Sequence, residues 1–433
     1  MMDSHKSFAL VVLFLFLFSG TAGTVLADEC SGIIATGSVV RDGRSILEKN
    51  RHFFENNQKP IFGKGTYVYW GIGDGVTSFC RMGMNEKGLA IADFDAPQGN
   101  MIDDGVWHYT SDHSSLSEDD DMRMVLGEFS TVEDAALWLA HHASHPCQWG
   151  IISQEPGIGV IVAMDANFHV NITYIHDEWC PLGNVWFCEN ASSNNTRRID
   201  YLIRKYLNTT DTLDVKDVVS LIGRDVRASG SNESEPVGYN GTYQTGGLTP
   251  SSCRSAAAFL SGDNCFDGAL NMAWVAIGQT THLCLFFPLG ASYLQTADDI
   301  PANWTNGIGL EQYADVKKAY AEASLDVYYR SRVHDIYNYT LLIQETIFNR
   351  YETCMDSVEN SLSNYEVIEK MRFYANSTFE ESLQAYIEER SMSSEENNVT
   401  EPDVLPLNLL ILVSFLFLIS VMVLVLVYLL FRR

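Results

Sequence analysis

"CSGIIATGSVVRDGRSILEKNRHF" runs from Cys30 to Phe53 and decides how the rest of the chain is read. Gly32-Ile33-Ile34-Ala35 and Ser38-Val39-Val40 are short apolar runs that read as strands. Arg41-Asp42-Gly43-Arg44 reads as a hairpin turn, and Ser45-Ile46-Leu47 as the return. An Asp-Gly pair between apolar runs is the strongest short-range signal for such a hairpin. The same punctuation continues downstream. Tyr67–Trp70 and Leu89–Ala92 read as strands, and Trp149–Ile152 with Gly159–Met164 as a second hairpin. Ala273–Ile277 and Leu283–Phe287 close the set. Val132–His142, capped by Thr131, reads as a helix, as do Arg198–Tyr206 and Val215–Ile222. Hairpins dominate, so the fold class expected is α+β with antiparallel sheets.

What precedes Cys30 gives it a chemical meaning. Phe8–Ser19 is an apolar stretch behind His5 and Lys6, and Val25-Leu26-Ala27 is a small-residue end of the kind signal peptidase cuts after. Residues 1–27 are therefore expected to be a signal peptide, which leaves Asp28-Glu29 as a two-residue stub. If that stub is removed, Cys30 becomes the N-terminal residue and carries a thiol and an α-amino group together. Their reference pKa values are about 8.5 and about 7.7–8. The amine can take the thiol proton, directly or through water, so nucleophile and base come from one residue. Such a residue attacks a carbonyl, forms an acyl-enzyme and releases an amine. The same attack can cut the Glu29-Cys30 bond, which would make residues 28–29 a self-removed propeptide.

The quoted stretch, followed by "RMGMNEKGLAIADFDAP" (Arg81–Pro97), resembles the N-terminal nucleophile hydrolases. The branch it is most similar to holds choloylglycine hydrolase, penicillin V acylase and acyl-coenzyme A:6-aminopenicillanic acid acyltransferase. "VWFCENASSNNTRRIDYL" (Val185–Leu202), "SSCRSAAAFLSG" (Ser251–Gly262) and "NMAWVAIGQTTHLCLFFPLG" (Asn271–Gly290) are looser matches to the acyltransferase branch. The resemblance implies a four-layer αββα sandwich over residues 30–305. It implies Cys30 as nucleophile, the backbone N–H of Asn85 and the side-chain amide of Asn190 as oxyanion donors, and Arg254 as a supporting cation. Losing one such donor typically costs about 10²–10³ in rate. Where the family has Arg-Asn-x-Asp, this chain has Lys49-Asn50-Arg51-His52. The aspartate that contacts the cysteine amine thus falls on His52, which carries no fixed negative charge. Arg51, one place over, is the expected source of the family's cation. The substrate implied is a small linear amide, and no cofactor is required.

Each of these residues also has a plainer reading. Cys30 could sit in a structural disulfide: there are nine cysteines, an odd number, so pairing leaves at least one over. Asn85 could be a turn residue ahead of Gly88. Asn190 opens an Asn-x-Ser/Thr acceptor, and a glycan there would exclude an oxyanion role. Arg254 could be a surface ion-pair partner. His141 and His145 share a helix face, but no third ligand accompanies them, so no metal is expected. Gly71, Gly73 and Gly75 lack the Lys-Ser/Thr of a phosphate loop. The acidic run Glu118–Asp121 reads as a solvated loop.

The remaining features place the chain outside the cell. After Gly309 there is no glycine, and no proline lies between Pro301 and Pro402. Val316, Tyr320, Ala323 and Val327 recur at helical spacing, as do Ile343, Ile347, Tyr351 and Cys354, so residues 306–392 read as two or three long helices. They would serve as a stalk, a lid or a dimerising element, the last making a homo-oligomer. Residues 393–406 read as a polar linker. Leu407–Phe431 is apolar and long enough to cross a bilayer core of about 30 Å, and Arg432-Arg433 would stay in the cytoplasm. Acceptor triplets start at Asn171, Asn190, Asn194, Asn208, Asn232, Asn240, Asn303, Asn338, Asn376 and Asn398, as suits a glycosylated ectodomain. A net charge of -27 disfavours nucleic acid as a partner. The expectation is a type I, single-span surface enzyme acting on amides. The rival is a catalytically inactive surface module built on the same fold.

Overall fold

The computed structural model describes residues 30–52, 58–74, 80–95, 118–145, 147–165, 168–183, 194–225, 248–249, 253–262, 266, 268–278, 284–292, 327–358, 361 and 363–396. The signal peptide, the stub, Asn190, the linker beyond Glu396 and the apolar segment Leu407–Phe431 lie outside them. No helix among the described residues is long and apolar enough to cross a membrane.

Thirteen strands form two sheets. They are β1 (Ser31–Thr36), β2 (Ser45–His52), β3 (Gln58–Lys64), β4 (Val68–Asp74), β5 (Cys80–Asn85), β6 (Ala90–Asp95), β7 (Cys147–Ile152), β8 (Ile158–Met164), β9 (Val170–His176), β10 (Trp179–Gly183), β11 (Cys253–Ser261), β12 (Met272–Ile277) and β13 (Phe287–Gly290). One sheet has the order β10-β1-β2-β11-β12-β13, the other β3-β4-β5-β6-β7-β8-β9, and every ladder in both is antiparallel. The opening hairpin is formed by β1 and β2, joined through Gly37–Arg44; the expected strand Ser38–Val40 does not form, since Gly37–Val39 is a 3-10 turn and Val40 makes a single bridge to Leu213. Leu285 and Phe286 precede β13 instead of belonging to it.

The sheets face each other closely. A side chain at Gly32 would stand 2.1 Å from the Glu48 carbonyl and 2.8 Å from the Phe94 ring, so only glycine fits there. Leu47, Ile34 and Leu182 meet over Gly150 from the opposite sheet. Helices α1 (Glu118–Glu128) and α2 (Val132–His142) cover the seven-stranded sheet. Met122, Val125, Leu126, Ala135 and Leu139 share a core there with Trp149 and Val162. Helices α3 (Asn194–Leu207) and α4 (Val215–Leu221) cover the six-stranded sheet through Ile199, Leu202, Ile203, Val215 and Val218. The result is four layers, α-β-β-α.

One sequence expectation is corrected. The acidic run Glu118–Asp121 opens α1 instead of a solvated loop. Asp121 is buried and accepts hydrogen bonds from the Ser144 N–H at 2.9 Å and its hydroxyl at 3.1 Å. Gly71 and Gly73 are strand residues of β4.

The long helices α5 (Val327–Val358) and α6 (Asn364–Glu396) are bound to the sandwich, and α6 overruns the expected linker start. Gln344 donates to the Phe286 carbonyl at 3.1 Å and accepts from its N–H at 2.7 Å, satisfying both backbone groups of a buried residue. Arg44 donates to Tyr351 Oη at 3.0 Å, and Arg224 donates to Thr340 Oγ1 at 2.6 Å and to the Cys284 carbonyl at 2.9 Å. Trp274 of β12 packs edge-on against Tyr351, with ring centres 4.9 Å apart. With this much of its surface buried, the helical hairpin is a buttress of the fold rather than a free stalk.

Glu48 is the unusual residue of this layer. It is fully buried on the outer face of β2, between Ile33 of β1 and Ala258 of β11 in the ladder. Neither of its carboxylate oxygens has a hydrogen-bond partner among the described residues. Burial pushes its carboxyl well above the ordinary value of 4.5, so the folded chain holds it protonated where the unfolded chain would release the proton. Its contribution to stability is therefore full below about pH 4.5 and declines as pH rises toward the folded pKa. Glu48→Gln should melt at a higher temperature than wild type near pH 8 and within a degree or so of it near pH 4.5. Equal melting differences at both pH values would contradict a protonated Glu48.

Candidate functional site

Strand parity sorts the residues around Cys30. On β1, Gly32 and Ile34 face the opposite sheet, so extending the alternation one step back turns Cys30 the same way. On β2, Leu47 and Lys49 face inward, and therefore Arg51 does too. Arg51 is paired with Ser255 of β11. Cys30, Arg51 and Ser255 thus lie across three adjoining strands at one end of the space between the sheets. All three are at most 1% exposed. The Ser255 hydroxyl donates to Gln58 Oε1 of β3 at 3.2 Å, which closes the gap to the second sheet.

One pair further in stands Lys49, opposite Gly32. Its fully buried ammonium donates to the Arg81 carbonyl at 3.2 Å, and to the carbonyl and carboxylate of Asp93. Arg81 Nη1 binds the other Asp93 oxygen at 3.0 Å. The β5–β6 ladder stops at the pair Met82–Ala92, and Lys49 takes the carbonyls just beyond, where the two strands part. The ammonium also lies 5.3 Å from the Phe94 ring centre. Sequence reasoning looked two positions along, to Arg51, for the cation. The signal for Lys49 was available in parity, because residues 49 and 51 share a face.

The outer face beside Cys30 is a hydrogen-bonded wall. Asn50 Nδ2 donates to Ser31 Oγ at 3.3 Å and to the Ile222 carbonyl at 3.1 Å. Ser31 Oγ donates to the Leu248 carbonyl at 3.3 Å, and His52 Nε2 donates to the same carbonyl at 3.0 Å. Leu248 and Thr249 are in turn held by Asp225, which receives Arg198 at 3.1 and 3.0 Å. His52 is therefore a structural member of this wall, paired in the ladder with Cys253.

The other predicted residues are distributed as follows. Arg254 occupies a register shift between Cys253 and Ser255, an extra residue that bulges β11 beside Arg51 and His52. Bulges of this kind re-aim side chains and are frequent next to active sites. Asn85 lies on β5 of the other sheet and uses its donors locally. Its N–H goes to the Leu89 carbonyl at 3.0 Å, and Nδ2 goes to the carbonyls of Leu126 and Phe129 at 3.0 and 2.7 Å. Its Oδ1 accepts from Lys87 and Leu89, around a Gly88 with φ +83°. Asn85 thus organises the β5–β6 turn, the plainer of its two readings, and its donors are already taken by those carbonyls. The seven described cysteines, Cys30 among them, form no disulfide, so the expected bridges are absent among the described residues.

Comparison with solved structures finds neighbours in the N-terminal nucleophile hydrolase superfamily. A variant of the conjugated bile acid hydrolase from Clostridium perfringens overlays with TM-score 0.39 and 13% identity, over 60% of this chain and 92% of its own. Penicillin V acylase from Agrobacterium tumefaciens gives 0.39 and 13%, over 61% and 87%. The N-acylethanolamine-hydrolyzing acid amidase ortholog of Caenorhabditis elegans gives 0.36 and 14%, over 55% and 94%. No protein-family model and no curated protein matches the sequence. At these scores the likeness is distant, and the chemistry has to come from this chain's own residues.

Lys49→Met keeps the aliphatic stem and removes the ammonium, leaving Asp93 and two carbonyls without it. Breaking a buried pair from one side typically costs about 3–5 kcal/mol, and urea unfolding should show a loss of that size. Adding Asp93→Asn to Lys49→Met should recover part of it. A loss below about 1 kcal/mol would mean that the pair does not join the sheets.

Proposed function

We propose that the chain is a cysteine-dependent amide hydrolase or acyltransferase of the N-terminal nucleophile type, with Cys30 as its nucleophile. One observation carries this reading. Cys30 is an unbridged thiol immediately before β1, turned between the sheets in line with Arg51 and Ser255. A thiol placed there becomes a complete nucleophile-base unit once the preceding peptide bond is cut.

The reaction balances as follows. The Cys30 thiol gives its proton to its own α-amino group, and sulfur bonds to the amide carbonyl carbon. The C–N bond then breaks, and the amine leaves with the proton. Water completes hydrolysis by attacking the thioester, or a second amine completes transfer. Arg51 and Lys49 supply positive charge on the nucleophile's side of the sandwich, and the Arg254 bulge lies at its rim. Asn190 remains the proposed oxyanion donor, as the sequence match implies. The structural neighbours' names concern bile acid conjugates, penicillin V and N-acylethanolamines, and a small linear amide is the substrate class proposed here. The proposed setting is the cell exterior, with residues 1–27 removed and Leu407–Phe431 in the membrane. Asn208, Asn338 and Asn376 are exposed acceptor sites, as that setting requires.

His52 favours a second reading, a binding module without catalysis, because it places no carboxylate where the family holds the amine. The two separate on Cys30 itself. An amide-mimicking electrophile should label wild-type protein at Cys30 and no other described cysteine. Cys30→Ala should lose labelling and amide turnover by at least about 10³-fold, with its melting temperature kept within a few degrees. Labelling spread over several cysteines, or unchanged turnover in Cys30→Ala, would overturn the enzyme reading.

A further inference from the structure

Helix α3 carries a basic, exposed face in a chain of net charge -27. Arg197, Tyr201, Arg204 and Asn208 recur at spacings of four, three and four, which lines them up on one side of the helix and its C-terminal turn. That stripe lines a groove of about 620 Å³ against Pro181 of β10. Its groups are held in place. Arg204 Nε donates to the two Asp200 oxygens at 3.0 and 2.8 Å, and its guanidinium lies 5.3 Å from the Trp179 ring centre. Lys205 Nζ lies 5.8 Å from the Tyr201 ring centre. A carboxylate, guanidinium groups and an aromatic ring in one open groove suit a ligand that is flat on one face and rich in hydroxyls, which is the chemistry of a sugar.

The source of that sugar is at the end of the same stripe. Asn208 lines the groove and opens the acceptor Asn208-Thr209-Thr210. Its N–H bonds to the Arg204 carbonyl at 3.0 Å, and the hydroxyls of Thr209 and Thr210 both donate to the Tyr206 carbonyl, at 2.8 and 3.1 Å. The attachment point is thus fixed one turn beyond Arg204. From Asn208 back to Arg197 the stripe runs about 16 Å at the helical rise, the reach of a short oligosaccharide. At its far end a second acceptor, Asn194-Asn195-Thr196, contributes Thr196 to the groove.

We infer that this groove seats the chain's own N-linked glycan, attached at Asn208 and laid back along α3 over Tyr201 toward Arg197. The glycan covers the flank of β10, which among the described residues is the edge strand beside β1, and a strand edge invites pairing with another chain. The inference rests on the extracellular part of the proposed function, and Asn376, exposed on α6, serves as the control acceptor.

The test is native endoglycosidase digestion of the full chain made in a glycosylating host, with release followed at each site by mass spectrometry. Release at Asn208 should be at least about tenfold slower than at Asn376. Tyr201→Ala, and separately the exposed Arg197→Ala, should bring Asn208 up to the Asn376 rate and leave Asn376 unchanged. Equal rates in wild type, an empty Asn208 beside an occupied Asn376, or protection that survives both substitutions would overturn the inference. Sugar at none of the acceptors would refute the extracellular setting itself, and the inference with it.

Discussion

A buried lysine holds the two sheets together. The Lys49 ammonium is withdrawn from water completely, at a desolvation cost that only close, well-aligned acceptors can offset. Those acceptors are Asp93 and the carbonyl of Arg81, all from the opposite sheet, with Arg81 fixing the far side of the carboxylate. Because Lys49 can reach them from only one register, it fixes β2 against β5 and β6. The position of β2 in turn fixes β1 and β11, and so brings Cys30, Arg51 and Ser255 into line. The chemistry proposed for Cys30 depends on that alignment.

The outer layers protect this arrangement in different ways. Helices α1 and α2 cover the seven-stranded sheet with ordinary apolar packing. The layer over the outer face of the six-stranded sheet holds more polar groups, among them the buried Glu48, the Asn50–Ser31–Leu248 wall and the buried Arg224. The helical hairpin α5–α6 answers part of this polarity through Gln344, Thr340 and Tyr351. Burial lowers the Arg224 guanidinium to about 10, despite the ring of Tyr337 beside it. A helical segment that satisfies buried polar groups belongs to the folded unit.

Much of the fold was legible in the sequence where local chemistry decides it. The Asp-Gly turn announced the opening hairpin, and Thr131 announced the start of α2, whose bounds match the reading. The sequence was less legible where tertiary contacts override local character. Glu118–Asp121 looks solvated, but Asp121 is buried by the Ser144 loop. The polar run Glu48–His52 follows the apolar return Ser45–Leu47 yet is buried along with it, because each side chain has a long-range setting that spacing does not reveal. The place of Cys30, just ahead of the opening hairpin, could be read from the sequence. Asn85 could not, since its role depends on carbonyls of residues 126 and 129.

The central claim is that Cys30 acts with its own free amine. The most direct test is to sequence the N-terminus of the mature protein made from the full chain. The account predicts Cys-Ser-Gly, with Asp28-Glu29 gone. A mature chain beginning Asp-Glu-Cys, or further upstream, leaves the Cys30 nitrogen in a peptide bond, removes the base, and contradicts the mechanism.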